Sequence, residues 1–416
     1  MNLFKKIFLL LMCLTIFSSA EAAKEKPVFV WSHDTYVMSI ADDYKNAEKK
    51  RSYSLMRAGS KEDQAKRAQQ IAEALAAKFK AQASVLPFTL ETSMSEDDTA
   101  DRNSEISDAT FGDQSRIQII PIVIADIQIP QKYTIKGKDY YKYTLISAVD
   151  IAFCSEDNNG ALTILANIPL HFRTTLPDSK ESSSLESMTQ RSDEDLARVF
   201  TNFTAQRIEE ELDFTKYKKL IEGVIDKSLA AETYRVENVT YTSKKCMELL
   251  GRNKRGEEVK LMQRICGNIF TSDYAAHTGK VVYPMILPGD TSSWTQDATK
   301  KLYAAKITSS HSGEKTITMP EKVDHQITLD VPGVGTQELQ TKQVSNINGF
   351  KLYKLRLLST ISGKSPIEVE QHIQHEYTKN PDLLSKIEPS EEEIFGALLI
   401  GASVKAAAAQ AGKKVK

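Results

Sequence analysis

The sequence lacks the short motifs that mark many catalytic and metal sites. Four cysteines occur among 416 residues, and no two of them have the Cys-x-x-Cys spacing of redox and zinc sites. Neither Gly-x-Ser-x-Gly nor His-Glu-x-x-His occurs, so the nucleophile turn of α/β-hydrolases and the zinc helix of many metalloproteases are missing. We therefore predict no catalytic residue.

The chain also has no excess of charge and no cofactor loop. Its 54 basic and 55 acidic side chains give no electrostatic reason to expect nucleic acid. Residues 309–316 lack the adjacent Gly-Lys of a phosphate-binding loop, and no helical pattern follows Gly333 and Gly335. We expect neither a nucleic-acid partner nor a cofactor.

Residues 1–22 predict a signal peptide. A basic start with Lys5 and Lys6 precedes an apolar run over residues 7–17, and small residues surround Ala22. We expect an exported protein, periplasmic or secreted, in a bacterial envelope; an uncleaved membrane anchor is the alternative. Later apolar runs are shorter than the roughly 20 residues of a membrane helix, so no span is predicted in the mature chain.

Residues 115–172 predict the centre of the fold, an antiparallel meander of three long strands. Residues 117–129 form a nearly continuous β-branched run, and residues 141–153 alternate between two faces. Asn159-Gly160 then marks a hairpin before a third alternating run. The order of these signals favours a mixed sheet built around the meander.

The polar face of the middle strand is the predicted partner-binding surface. Lys142, Thr144 and Asp150 lie on it, opposite an apolar face that helices at 62–81 and 193–212 would cover. These elements form a predicted α/β domain over residues 23–230, with a further strand at 84–91. Its acidic stretch at 92–114 is expected to be a solvated loop, with a calcium site as the alternative.

The element order of this domain resembles a known family. Strand, helix, strand, long strand, Asn-Asn-Gly hairpin and helix follow one another as in the periplasmic α/β domains of the curli secretion channel and of the amino-terminal part of the TolB translocation protein. The resemblance covers roughly half the chain and implies a role in envelope assembly or transport without catalysis. The second helix usual in that family is missing after Glu91, and no channel-forming strands occur, so neither the channel function nor any site residue is transferred.

Residues 231–363 predict a second α+β domain. Alternation at Ile327, Leu329 and Val331, followed by a turn at 332–335 and a strand over 350–361, predicts a second antiparallel sheet. The overall fold class is therefore α/β (α+β): a mixed sheet with a long antiparallel meander packed by helices, then a second α+β domain with a helical C-terminus.

Residues 364–416 predict C-terminal helices, because Ser365-Pro366-Ile367-Glu368 combines an N-cap, a proline at the first helical position and a glutamate at the third. His372, His375 and Glu376 would then share one helix face. An exposed polar face is the main interpretation and a metal site the alternative. The last helix, around residues 394–400, is expected to dock on the protein itself, on a partner or on a membrane surface.

Three cysteines remain after the signal peptide. In an oxidising compartment, Cys246 and Cys266 predict a local disulfide; two unpaired buried thiols are the alternative.

Three function classes remain open. The first is a non-enzymatic envelope protein that binds a protein partner in assembly or transport. The second is a periplasmic module for a small ligand or glycan, and the third is a hydrolase without a recognisable motif. A cleft joining Asp273, His277 and a nucleophile would favour the hydrolase.

Overall fold

The fold is taken from a computed structural model. It describes residues 26–32, 35–38, 54–91, 117–135, 137–156, 160–177, 187–226, 229, 231–246, 256–287, 294–310, 313–339, 348–378 and 391–413. Within these ranges, two mixed sheets are packed with helices, which confirms the predicted α/β (α+β) class and the helical C-terminus. The predicted signal peptide and the acidic stretch at 92–114 lie outside the described residues.

In the described ranges, the first sheet holds nine strands and the second holds five. The first sheet contains β1 (Val28–Trp31), β2 (Tyr36–Val37), β3 (Thr89–Glu91), β4 (Ile117–Ile135), β5 (Lys138–Glu156), β6 (Leu162–Leu176), β9 (Thr295–Asp297), β10 (Leu302–Ser309) and β11 (Gly313–Pro320). The second contains β7 (Thr233–Tyr241), β8 (Val281–Tyr283), β12 (His325–Leu339), β13 (Asn348–Ile361) and β14 (Ile367–Thr378). The helices are α1 (Lys61–Ala81), α2 (Asp193–Glu211), α3 (Lys218–Ile225), α4 (Gly256–Thr278) and α5 (Glu391–Gln410).

The predicted meander is confirmed as β4, β5 and β6, which pair antiparallel in sequence. Pro121 lies within β4, opposite Ile151 of β5. The strand predicted over 84–91 is shorter than expected, because only β3 pairs with β1.

Six strands of the first sheet form a closed ring. The short strand β2 pairs with β4 on one side and with β10 on the other, and β10, β11, β6 and β5 complete the circuit. The helices lie outside it, since Thr204 of α2 donates to Ser147 of β5 at 3.0 Å. Alternate residues of β5 therefore point into the ring, Asp150 among them.

Two capped helices cover the outside of the meander, as predicted. The Ser60 side chain accepts from the Asp63 backbone at the start of α1, and Ser192 caps α2 in the same way. Their apolar stripes are buried against the sheet, and Gln70 of α1 bonds Asn202 of α2 at 2.9 Å. A buried carboxylate also lies on this side of the sheet. Asp126 of β4 accepts from the Ser54 hydroxyl at 2.5 Å and from the Met56 backbone amide at 2.7 Å.

The second sheet joins the first through a buried arginine. Arg235 of β7 is 2% exposed, and its guanidinium donates to the carbonyl oxygens of Pro320, the last residue of β11, and of Glu321. Residues 295–320, predicted to belong to the second domain, form β9 to β11 and extend the first sheet instead. The boundary predicted at residue 231 therefore does not coincide with a division between the sheets.

Two predictions for the second half are wrong. The turn expected at 332–335 is part of the continuous strand β12, which accommodates the sequence with an irregular register between Asp330 and Gly333. The helix expected from Pro366 is the strand β14. The last helix is confirmed as α5, and its apolar face is covered by α4, β13 and β14 of the protein itself.

Candidate functional site

Two of the three residues predicted to bind a partner are buried. Thr144 is 6% exposed and Asp150 is 7% exposed. Asp150 lies inside the closed ring, since Ile122, its neighbour on β4, also pairs with β2. Lys142 lies nearer the end of the strand and is half-buried. Thr144 and Asp150 therefore form part of an interior and not of a surface.

Among the described residues, Asp150 has one hydrogen-bond partner, Asn167 of β6, whose amide donates at 3.3 Å. Burial raises the pKa of Asp150 to about 7, and this hydrogen bond opposes part of the shift. Opposite Asp150 on β6 is Pro169, and flanking alanines leave the carboxyl few polar neighbours. At neutral pH this group is poised between its protonated and ionised forms.

A histidine of β6 lies on the same face as Asp150. His171 is opposite Ala148, and burial together with the charge of Arg173 lowers the pKa of His171 to about 4. Its Nε2 atom and the Oδ1 atom of Asn167 are buried without a hydrogen-bond partner. The ring interior thus holds unused polar atoms, which in native proteins call for water, an ion or a ligand.

These three side chains do not form a metal site. Asn167 and His171 are four residues apart on one strand, which separates their backbones by about 13 Å. Neither side chain is long enough to meet the other at a common ion near 2.1 Å from each ligand. Among the described residues, no group of three His, Cys, Asp or Glu side chains is arranged to hold a metal.

The metal candidates on β14 are separated by the change from helix to strand. His372 points to the exposed face of the second sheet and bonds Glu370, whereas His375 is half-buried on the other face. Glu376 lies in β14, and its side chain is outside the described part. The shared face on which the metal alternative rested does not exist, because a strand alternates its side chains.

Cys246 and Cys266 are both buried and recorded as free thiols, so the predicted bridge is not formed in this structure. The Cys266 sulfur lies 3.4 Å from the Ser403 hydroxyl of α5. Burial raises the pKa of Cys246 to about 11 and that of Cys266 to about 12, which favours the protonated thiol at neutral pH. Cys154 is likewise buried and free.

Asp273 and His277 lie one turn apart on α4 without forming a carboxylate–imidazole pair. The Nδ1 atom of His277 is 2.7 Å from the backbone oxygen of Asp273. Burial, with a smaller contribution from the nearby Glu211, raises the pKa of Asp273 to about 7. The pair does not have the orientation in which a carboxylate aligns a general base.

Two aromatic rings surround the Lys364 amine, a grouping that the sequence analysis did not predict. The Lys364 amine donates to the Tyr274 hydroxyl at 2.8 Å and lies 5.3 Å from the centre of the Tyr234 ring. His325 stacks on the Tyr234 ring with the ring centres 4.6 Å apart, and Glu232 accepts from the Tyr234 hydroxyl at 3.0 Å. Tyr234, Tyr274, His325 and Lys364 come from distant parts of the sequence, so no local spacing marks them.

The most exposed part of the meander is the ribbon at the end of β4 and β5. Residues 131–135 pair with 138–142, whereas pairing with β6 begins only at Tyr143. Tyr140 and Tyr141 are half-buried, and the Lys138 amine lies 5.7 Å from the centre of the Tyr140 ring. Lys132 and Asp139 form an ion pair of 2.7 Å across the two strands. We call residues 131–142 the meander ribbon.

Comparison with known proteins does not identify the chain. No protein-family model matches it, and no curated protein matches it. The resemblance to the curli and TolB periplasmic domains therefore stays a prediction. No helix in the described ranges is long and apolar enough to cross a membrane.

Proposed function

We propose that this protein is an exported, non-enzymatic envelope protein that binds a protein partner in assembly or transport, and that the meander ribbon contacts that partner. The observation that carries the proposal is the position of the ribbon. It extends beyond β6 as a two-stranded arm, and it presents tyrosine and lysine side chains at its end.

The chemistry of the ribbon suits a protein surface. Tyrosine is enriched in protein interfaces because its ring buries apolar area while its hydroxyl stays hydrogen-bonded. The ribbon is ordered by its own cross-strand contacts, and the Tyr141 amide donates to the Met188 carbonyl at 2.9 Å. A prearranged arm loses little conformational entropy on binding.

Site-specific photocrosslinking in intact cells tests this proposal. A photoreactive residue replacing Tyr140 should form an adduct with a defined envelope protein, whereas the same residue replacing the exposed Lys300, in the turn after β9, should not. Adducts would be identified by mass spectrometry. Recovery of no envelope protein from Tyr140, or of the same proteins from both positions, would contradict the proposal.

A small-ligand function is the second candidate, and the unpartnered atoms of Asn167 and His171 favour it. With Asp150 they would suit a small polar guest that donates hydrogen bonds. Native mass spectrometry of protein prepared from its host envelope should then show an added mass that denaturation removes and that Asn167→Leu abolishes. A wild-type mass equal to that of the polypeptide alone would leave only water for this interior.

A further inference from the structure

The last strand of the second sheet has an unused edge. In the described part of the chain, the sheet has the strand order β14, β13, β12, β7, β8, and β14 pairs only with β13. The Ile367 carbonyl faces β13, where Ser359 donates to it at 3.3 Å. Because strand residues alternate in direction, Glu368, Glu370, His372 and Gln374 direct their backbone groups away from β13.

Within the described part of the chain, two of the outward carbonyl groups accept hydrogen bonds from side chains. The Glu370 carbonyl accepts from the Lys405 amine, and the His372 carbonyl accepts from the Gln371 side chain, both at 3.3 Å. These are long bonds to flexible donors, and no strand supplies them. An edge of this length is a template for another strand.

We propose that two copies of this chain associate through antiparallel pairing of their β14 strands, with Gln371 at the two-fold axis. The outward backbone groups of each copy then complete the ladder of the other. Glu370 is placed opposite His372 of the second copy, and His372 opposite its Glu370. Glu368 is placed opposite Gln374, so the register sets no like charges against each other.

The neighbouring registers are unfavourable. A shift by two residues in one direction sets Glu370 opposite Glu370 of the second copy. A shift in the other direction sets Glu368 opposite Glu376. Like charges directly opposite each other destabilise a sheet. A shift by a single residue would set the outward backbone groups of one copy opposite residues of the other whose backbone groups face their own β13, so no ladder could form. The charge pattern therefore selects Gln371 as the centre.

The environment of Gln371 supports the same centre. Its Oε1 atom is buried without a hydrogen-bond partner. In the dimer, the ladder takes over the His372 carbonyl that the Gln371 amide now bonds, so this side chain can turn and pair with the Gln371 amide of the second copy. The unsatisfied oxygen and the charge register of β14 thus indicate the same residue.

The helix above the strand leaves room for a second copy. Gly401 of α5 lies directly over Gln371, and a Cβ atom at Gly401 would approach the Gln371 side chain to 2.8 Å. Because α5 lies over β13 and β14, adding two strands at the usual spacing sets the two α5 helices about 10 Å apart, an ordinary helix-packing distance. The absence of a side chain at Gly401 lets α5 lie close over Gln371 of its own chain.

A cysteine at the axis tests the register. Gln371→Cys should form a covalent dimer when the full-length protein is oxidised with copper phenanthroline, since the two Cα atoms would lie about 5 Å apart. Gln374→Cys is the matched control and should not, because Glu368 of the second copy lies opposite it. The wild-type protein, oxidised in the same way, shows how much crosslinking the buried native thiols contribute. Equal crosslinking of both variants, or none at Gln371→Cys, would overturn the proposal.

A charge exchange tests the interface by mass. Analytical ultracentrifugation of wild type at about 100 µM should show a dimer, and Glu370→Lys should weaken it by about tenfold or more. Exchanging the two residues, with Glu370→His and His372→Glu together, should restore the dimer to the wild-type level, because a glutamate again lies opposite a histidine. A merely unfolded variant would not associate in this way. Glu338→Lys, an exposed charge change on β12, should leave the dimer unchanged. A monomeric wild type, or a failure of the double exchange to restore association, would refute the pairing.

Discussion

The two sheets of this protein differ in how many of their polar side chains are buried. The first sheet closes on itself, so both faces of β5 are buried from Tyr143 to Cys154. The second sheet stays open, with α4 and α5 on one face and a row of charged side chains on the other. Closure places polar groups inside, where only another protein atom or a trapped molecule can satisfy them, whereas the open sheet leaves them to water.

The difference in burial sets what each sheet can contribute to stability and to recognition. Interior positions of the closed sheet carry large energetic weight because each lost group leaves a cavity or an unpaired atom. Exposed positions of the open sheet contribute little to the free energy of unfolding, because their ion pairs are solvated. Variants placed at matched positions of the two sheets measure this contrast.

The largest expected effect is in the core of the closed sheet. Phe153 is fully buried, with ring centres 6.2 Å from Phe29 and 6.4 Å from Phe88. Phe153→Ala should lower the free energy of unfolding by about 3–5 kcal/mol, measured by urea denaturation. Thr360→Ala, on the outer face of β13, should change it by about 0.5 kcal/mol or less. Comparable losses at both positions would remove the contrast between the sheets.

The next effect concerns the connection between the two sheets. Arg235→Met removes the donors to Pro320 and Glu321 and should lower the free energy of unfolding by about 3 kcal/mol. Glu237, which bonds the same guanidinium at 2.7 Å, is more exposed, so Glu237→Gln should cost clearly less. Thermal unfolding followed by circular dichroism provides the measurement. Equal costs for the two variants would show that the carbonyl bonds contribute little.

A smaller, pH-dependent effect should come from Asp150. Its pKa is raised in the folded state from 3.8 to about 7, so the folded protein holds a proton that the unfolded chain releases. Stability from this group is therefore present below about pH 4 and is lost as the pH rises to about 7. The stability of Asp150→Asn relative to wild type should increase over that range and then level off.

A matched control separates this effect from general acid sensitivity. The pKa of Asp324 is lowered by hydrogen bonds from Thr233, so its contribution is lost only as the pH falls below its usual range. The difference between Asp324→Asn and wild type should hence be constant from about pH 5 to 7, where the carboxylate is ionised in both the folded and the unfolded state. The lowered pKa of His171 gives stability that rises from about pH 4 to 6.5 and opposes the Asp150 effect. A flat difference for Asp150→Asn would contradict its buried placement.

The smallest effect is expected on the outer face of the open sheet. A Cβ atom at Gly333 would lie 3.1 Å from the Arg356 guanidinium, the far end of a flexible and exposed side chain that can move aside. Gly333→Ala should therefore change the free energy of unfolding by about 0.5 kcal/mol or less. A loss above about 2 kcal/mol would show that Arg356 is held rigidly over this position.

The sequence predicted best those elements whose periodicity and end signals agreed. The meander combined alternation with Asn159-Gly160, and α1 combined an apolar stripe with a Ser60 cap, so each signal supported the other. In β14 the signals conflicted. Ser365 and Pro366 favoured a helix start, but Ile367, Val369 and Ile373 alternate with polar residues, and the pairing with β13 favours the strand.

The closed ring and the site inside it were beyond a local sequence argument. Closure depends on single and short pairings of β2 with strands far along the chain, such as Val37 with Thr308. Asp150 showed its polar character in the sequence, but its neighbours Asn167 and His171 come from β6, whose register shifts opposite Phe153 and Cys154 of β5. Arg235 and Lys364 bind partners 85 or more residues away, which no spacing within one segment reveals.

The return of β10 and β11 to the first sheet has a consequence for the order in which the chain becomes available to fold. A chain emerging from its amino terminus contains the meander and both covering helices by residue 211, yet the strands that close the ring follow only after residue 301. Until then β6 and β2 expose pairing edges, and a chain stopped at residue 230 would keep them. During synthesis, completion of the amino-terminal half therefore depends on the arrival of the carboxy-terminal half.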